Sequence, residues 1–346
     1  MKIKAGVVGL GFMGRRYVEF LQRLDGVEVT AICDIRKEIA ENLAKTTGAQ
    51  VLSRAEDLAT SSDVDAVFVC TPEDRHVDAA LAAIGAGKAV MIEKPVAHSL
   101  EAARSIAKAA KSGGSTVMVG HLLRFEPRWS AAKHAIQAGE IGEVVSIATR
   151  RVGNVLDQEI LAGRTTIPLY YGVHDLDIVR WLADAEAVTI YASRRSGVLH
   201  QSGYEIHDLY CAILRFDNNV LATAELGWHV PAAALAAPTT GLTVVGTEGW
   251  LKVEQAATGL QYWSGSGQRS VHPVGDVTFW PEVHGVPGGA LATELLHFLE
   301  CVRTDMQPVI TLADAIEALR LSLAMEASAD RNEIIRLSEF GLIDSR

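Results

Sequence analysis

Three glycines near the amino terminus limit what this chain can become. Gly9-Leu10-Gly11-Phe12-Met13-Gly14 follows an apolar run, Ile3–Val8, and leads into helical spacing over Met13–Leu24. A G-x-G-x-x-G at a strand-to-helix turn calls for a βαβ unit. Gly9 then makes the tight turn, Gly11 lets the backbone approach a pyrophosphate, and Gly14 lets helix and strand pack closely. Phe12 and Met13 lie in the helix's first turn, whose free N–H groups and dipole attract phosphate. Asp34 follows the next apolar run, Val27–Cys33, twenty residues after Gly14. A carboxylate there accepts hydrogen bonds from ribose hydroxyls and repels a 2′-phosphate, which points to NAD rather than NADP. Arg36 pulls the other way, because a guanidinium at this point can take a 2′-phosphate or stack on adenine.

The rhythm of the first 120 residues extends the unit. Helical spacing over Ile35–Thr47, Arg75–Gly85 and Leu100–Ser112 alternates with strand-like runs at Ala66–Cys70, Ala89–Ile92 and Thr116–Val119. This order predicts an α/β domain, a doubly wound parallel sheet covered on both faces, over residues 1–121. Residues 122–346 read differently. A helix near Trp129–Ala138 leads to a strand at Val144–Arg150, a loop over Gly153–Ile167 and a helix over Tyr170–Leu182. Strands follow without helices between them: Ala187–Arg194, Leu209–Phe216, Leu221–Trp228, Leu242–Gly246 and Trp250–Val253, with hairpin turns at Asp217–Asn219 and Gly246–Gly249. Two helices, Ala290–Thr304 and Leu312–Ala329, close the chain and are expected to reach the first domain. The second domain is thus α+β with a largely antiparallel open sheet.

Composition narrows the function classes. A net charge of −10 with no basic block argues against nucleic acid as a partner. Every apolar run is interrupted well short of the ~20 residues needed to cross a bilayer, so no membrane role is expected. Cys33, Cys70, Cys211 and Cys301 form no C-x-x-C pair, which points to buried reduced thiols rather than zinc or disulfides. His200, His207, His229 and His272 lack metal-ligand spacing, and no metal is expected. No secretory signal is read at the amino terminus, so the expectation is cytoplasmic.

Two further strand ends carry candidate chemistry. Thr71-Pro72 follows Ala66–Cys70, and Glu93-Lys94-Pro95 follows Ala89–Ile92, at the edge of the sheet where ligands bind in open α/β folds. A lysine held before a proline at a strand end is unusual, and a cis Lys94–Pro95 bond is compatible with it. Together with Gly9–Gly14, Cys70-Thr71-Pro72 with His76, Ala86-Gly87-Lys88, Gly120-His121 with Arg124-Phe125, and His174-Asp175-Leu176-Asp177, the chain resembles the Gfo/Idh/MocA oxidoreductases over nearly its whole length. The resemblance implies a Rossmann domain and a second α/β domain whose open sheet supports a homodimer or homotetramer. It implies NAD(P)-dependent redox chemistry on hydroxyls of sugars, cyclitols and related polyols. It also implies that Lys94 lies beside the nicotinamide and that His174 is the acid/base.

One departure stands out. The family commonly has an aspartate four residues before this histidine, and here that residue is Tyr170. A phenol is not a carboxylate substitute at neutral pH, but Tyr170 can hydrogen-bond a hydroxyl or the imidazole, or stack on a sugar ring. His121, Arg124, Arg151 and Asn154 are further substrate candidates, and Thr71, Pro72, His76 and Glu93 join the cofactor set. Asp175 and Asp177, at i+1 and i+3, are expected to point away from His174. Two alternatives to a dehydrogenase stay open: an NAD-retaining glycoside hydrolase working through transient oxidation, and a non-catalytic NAD-binding sensor. Loops 153–167 and 232–240 are expected to carry substrate identity.

Overall fold

A computed structural model describes residues 2–155, 164–201, 203–231, 241–254, 260–262, 272–274 and 278–341. Among these the strands are β1 (Ile3–Val8), β2 (Val27–Cys33), β3 (Gln50–Leu52), β4 (Ala66–Val69), β5 (Ala89–Ile92), β6 (Val117–Val119), β7 (Val144–Asn154), β8 (Ala187–Arg195), β9 (Leu209–Phe216), β10 (Leu221–Val230), β11 (Gly241–Gly246) and β12 (Trp250–Glu254). Two short hairpins, β13–β14 (Leu260–Tyr262, His272–Val274) and β15–β16 (Glu282–Val283, Val286–Pro287), and a last strand β17 (Ile335–Arg336) complete them. The helices are α1 (Phe12–Leu21), α2 (Lys37–Thr47), α3 (Ala55–Ala59), α4 (His76–Gly85), α5 (Leu100–Gly113), α6 (Pro127–Gln137), α7 (Val173–Ala183), α8 (Val198–Gln201), α9 (Gly289–Thr304) and α10 (Leu312–Arg331). The chain forms two units, Met1–Phe125 with Thr278–Leu319, and Glu126–Val277 with Arg320–Arg346.

The first unit is a six-stranded parallel sheet in the order β3-β2-β1-β4-β5-β6. Ala66–Val69 is buried at every residue, as a strand covered on both faces must be. β3 and α3, three and five residues long, are too short to show a period and have no counterpart in the sequence reading. The returning segment completes this core. Leu291, Leu295, Phe298 and Leu299 of α9 are fully buried with Val18, Leu21 and Phe68. The Phe68 ring stands edge-on to Tyr17 at 5.9 Å and to Phe298 at 5.4 Å. The hydrophobic stripe of α9 thus faces a Rossmann core laid down more than 200 residues earlier in sequence.

The second unit is a seven-stranded sheet in the order β12-β11-β7-β10-β9-β8-β17. β7 and β10 run parallel, and the other pairs are antiparallel. The turn at Asp217–Asn219 joins β9 to β10, with Asn219 at φ 72°, and the turn at Gly246–Gly249 joins β11 to β12. Period-two burial along β9 puts Tyr210, Ala212, Leu214 and Phe216 inward. The same alternation turns Cys211 outward. This corrects the expectation of four buried thiols: Cys33, Cys70 and Cys301 are buried, Cys211 is exposed, and all four are free. β7 runs on to Asn154, four residues past the expected end, so Arg151 lies in the strand and Asn154 is a strand residue rather than a loop residue. Residues 156–163 of the loop read as substrate-determining, and the whole of 232–240, lie outside the described residues.

Candidate active site

In the first unit the glycine turn is set by contact distances. Gly9 has φ 87°, and a Cβ on it would lie 2.7 Å from the Cys70 and Thr71 backbone. A Cβ on Gly14 would meet the Gly9 carbonyl oxygen at 1.8 Å, so helix and turn close only over glycine. Gly11 is different: nothing lies within 4 Å of its Cβ position, and it caps α1 with no side chain on the helix's free N–H groups. That open, uncapped helix end suits the pyrophosphate of a dinucleotide. Phe12 is exposed beside it, and the Arg16 guanidinium lies 4.9 Å from the centroids of both Phe12 and Trp280.

Asp34 closes the loop from the end of β2. Its carboxylate accepts the Leu10 N–H at 2.7 Å, the Arg36 N–H at 2.8 Å and Arg36 Nε at 3.1 Å. Burial alone would push this carboxyl up. The Arg36 side-chain hydrogen bond, with the two backbone N–H groups, outweighs burial and holds it below the ordinary carboxylate range. Arg36 is thereby neutralised by Asp34 instead of standing ready for a 2′-phosphate, and this geometry suits NAD. We expect Asp34→Asn to weaken NAD binding roughly tenfold, the worth of a charge-assisted hydrogen bond, and to narrow the preference over NADP. Titrations of both nucleotides measure this, and an unchanged ratio of affinities refutes the role.

Lys94 follows β5, and the Lys94–Pro95 bond is cis. Glu93, 9% exposed, turns back so that its Oε2 accepts the Lys94 N–H at 3.1 Å. The Tyr17 phenol of α1 lies alongside, and a Cβ on Gly120 would approach Tyr17 Oη at 3.2 Å and Glu93 Oε1 at 3.5 Å. Glu294 of α9, 1% exposed, completes a buried acid cluster. Burial, then the charge of Glu93, pushes the Glu294 carboxyl well above the ordinary range, and burial pushes Glu93 and the Cys70 thiol up as well. Tyr17 and Glu294 were not among the sequence candidates. Tyr17 carries no motif signal beyond its helical spacing, and Glu294 sits 201 residues from Glu93.

Glu294 gives a pH prediction. A native carboxyl with a raised pKa keeps a proton that the unfolded chain releases, so its contribution to stability falls as pH rises through and above the ordinary glutamate range. Glu294→Gln mimics the protonated acid at every pH. The variant should melt near the wild type at pH 4 and increasingly above it toward pH 8, with a limiting slope of about 1.4 kcal/mol per pH unit in the free-energy difference. A difference that does not change with pH would show that Glu294 is ionised in the native state.

His121, 1% exposed, and Arg124 follow β6. Arg124 lies 3.7 Å from Asp314, so a carboxylate of the returning segment already balances it. His76 is also buried, with its ring between the main-chain carbonyls of Pro95 and Thr71.

The second unit gathers its candidates around the start of α7. A π-helical turn, Pro168–Gly172, precedes the α-helix, which begins at Val173 rather than at Tyr170 as the spacing suggests. The wider turn changes the offset between Tyr170 and the half-buried His174 from that of a continuous α-helix. The Tyr170 ring meets Tyr171 at 5.4 Å and the buried Trp228 at 5.5 Å, and Tyr171 meets Trp228 at 5.2 Å. Asp175, 2% exposed, accepts Thr149 Oγ1 at 2.9 Å and Arg151 Nε at 2.5 Å, while the Arg151 guanidinium lies 5.6 Å from the Tyr171 ring centroid. Asp175 thus fastens the turn bearing His174 to β7, a role that its i+1 position did not reveal. Asp177 is likewise buried. Asn154 Nδ2 donates to the Pro231 carbonyl at 3.1 Å. Among the described residues no cluster of three His, Cys, Asp or Glu groups is placed to hold a metal, and no helix is long and apolar enough to cross a membrane.

A parallel sheet with an open glycine turn, an aspartate at the end of the second strand and a lysine at another strand end defines a dinucleotide-dependent redox enzyme. Residues 3–121 match the Gfo/Idh/MocA oxidoreductase family's NAD-binding Rossmann fold, and residues 129–252 match its C-terminal domain. The chain belongs to this family of oxidoreductases. It is 28% identical over 334 residues to the scyllo-inositol 2-dehydrogenase (NAD(+)) of Bacillus subtilis, covering 93% of both chains. It is 32% identical over 232 residues to an uncharacterised oxidoreductase of Streptococcus pneumoniae, covering 65% of this chain and 62% of that one. Its fold is that of scyllo-inositol dehydrogenase from Lactobacillus casei, solved with NAD(H) and scyllo-inositol bound: TM-score 0.83, 20% identity, 98% and 100% of the two chains.

Proposed function

We infer that this protein is an NAD-dependent dehydrogenase that oxidises a secondary hydroxyl of a cyclitol, sugar or related polyol, or reduces the corresponding ketone. The observation that carries the reading is the Glu93-Lys94-Pro95 turn at the end of β5, in the same unit as the dinucleotide loop, with the Lys94 N–H held by a buried carboxylate. NAD, when bound, supplies the hydride acceptor. Gly9, Gly11, Phe12, Met13 and Gly14 would hold its pyrophosphate, Asp34 its adenosine ribose, and Thr71, Pro72 and Glu93 the nicotinamide side. Lys94 donates a hydrogen bond to the reacting hydroxyl and stabilises the alkoxide that develops there. His174 takes the hydroxyl proton in oxidation and returns it in reduction. Tyr170, His121, Arg124, Arg151 and Asn154 orient the remaining hydroxyls.

The named activity of the Bacillus subtilis relative supports inositols as the first substrates to try. The test mixes purified protein with NAD and a panel of inositols and sugars and follows reduced-nicotinamide absorbance. Tight NAD binding with no turnover of any polyol in either direction refutes the proposal.

Four free cysteines fit a reducing cytoplasm. The outer face of the second sheet exposes Val145, Tyr191, Ile213, Leu221, Val245 and Trp250, which supports the expected homodimer or homotetramer.

A further inference from the structure

His76 has a geometry that its burial alone does not require. It opens α4 and is 1% exposed, and both ring nitrogens meet main-chain carbonyl oxygens. Nδ1 lies 2.9 Å from the Pro95 oxygen, and Nε2 lies 2.8 Å from the Thr71 oxygen. A carbonyl oxygen only accepts, and a neutral imidazole has a single N–H. The neutral ring therefore donates to one carbonyl and turns a lone pair toward the other. Only the imidazolium donates to both.

The two carbonyls belong to different loops. Thr71 follows β4, and Pro95 follows Lys94 after β5. The ring is thus a cross-tie between the Thr71–Pro72 loop and the loop that presents Lys94. Two charged groups face it: Glu73, in the turn before α4, and Lys94. Burial first, with the Lys94 ammonium added, pushes the imidazole pKa below its ordinary value, against the two carbonyls and Glu73, which favour the charged ring.

We propose that His76 is a proton-gated positioning residue: protonated, it ties the Thr71 and Pro95 loops together, and neutral, it releases one of them. The proton comes from solvent and no covalent step is involved. The consequence for turnover rests on the reading of Lys94 given above. The consequence for NAD binding, through the Thr71–Pro72 loop, does not require Lys94 to be catalytic.

The test uses the full-length protein in two measurements. In the first, nitrogen NMR of protein labelled at the histidine rings follows the His76 signals from pH 5 to pH 8. They are assigned by their loss in His76→Asn or, if that chain fails to fold, in His76→Gln. The share of rings protonated on both nitrogens should fall as the pH rises across this range. In the second, the dissociation constant of NAD is titrated over the same range. Wild-type affinity should tighten roughly tenfold toward the acid end, the worth of one regained charge-assisted hydrogen bond, relative to the variant. A ring holding a single proton from pH 5 to pH 8 overturns the proposal. So does the same pH dependence of NAD affinity in the wild type and the variant. Full turnover in Lys94→Ala would sink the role of Lys94 while leaving both His76 results standing.

Discussion

Lys94→Ala should lose about a thousandfold in kcat, in oxidation and reduction alike, while NAD binds as in the wild type. The size follows from the role proposed for Lys94, since removing one donor to a developing oxyanion typically costs a hundred- to thousandfold. The selectivity for kcat follows from the local structure. The turn is held by the backbone N–H of residue 94 on Glu93 Oε2, which alanine keeps. Glu93 keeps that backbone partner, so the cofactor site should stand. Lys94→Arg is not a rescue, because a rigid planar fork places its donors elsewhere than a single ammonium does. Single-turnover kinetics with saturating NAD separates the chemical step from binding. Full activity in Lys94→Ala would remove this residue from the mechanism.

The first unit was legible because its signals are local. Gly9, Gly11, Gly14 and Asp34 lie within one βαβ segment, and the physical demand at each is set by its immediate neighbours, as the 1.8 Å approach at Gly14 shows. The buried face of Ala66–Val69 and the period of α5 were readable for the same reason. What was not legible depends on long-range contact. Nothing in the spacing of α9 says that Glu294 will face Glu93, and nothing in that of α10 says that Asp314 will balance Arg124. The π turn at Pro168–Gly172 was missed because a widened turn has the same composition as the α-helix it continues into. The engagement of His76 on both nitrogens was not legible, because it depends on the Pro95 carbonyl of another loop.

His174→Ala is the second large effect, and it also tests the departure at residue 170. Removing the proposed general base should lower kcat by roughly a hundred- to ten-thousandfold with NAD binding unchanged. The wild type should lose activity in polyol oxidation on the acid side, because a protonated imidazole cannot accept the hydroxyl proton, and the variant should lack that limb. Tyr170→Phe separates the two uses of the tyrosine. It keeps the ring contacts with Tyr171 and Trp228 and removes only the hydroxyl. A fall in kcat with unchanged KM for the polyol assigns the hydroxyl to the chemical step. A rise in KM with unchanged kcat assigns it to substrate binding. No change in either leaves the ring alone as the functional part of Tyr170. In that case Asp175, which holds Arg151 and Thr149 and so fixes the turn bearing His174, becomes the carboxylate on which the imidazole's placement depends. Asp175→Asn should then lower kcat, and an unaffected Asp175→Asn would exclude that support.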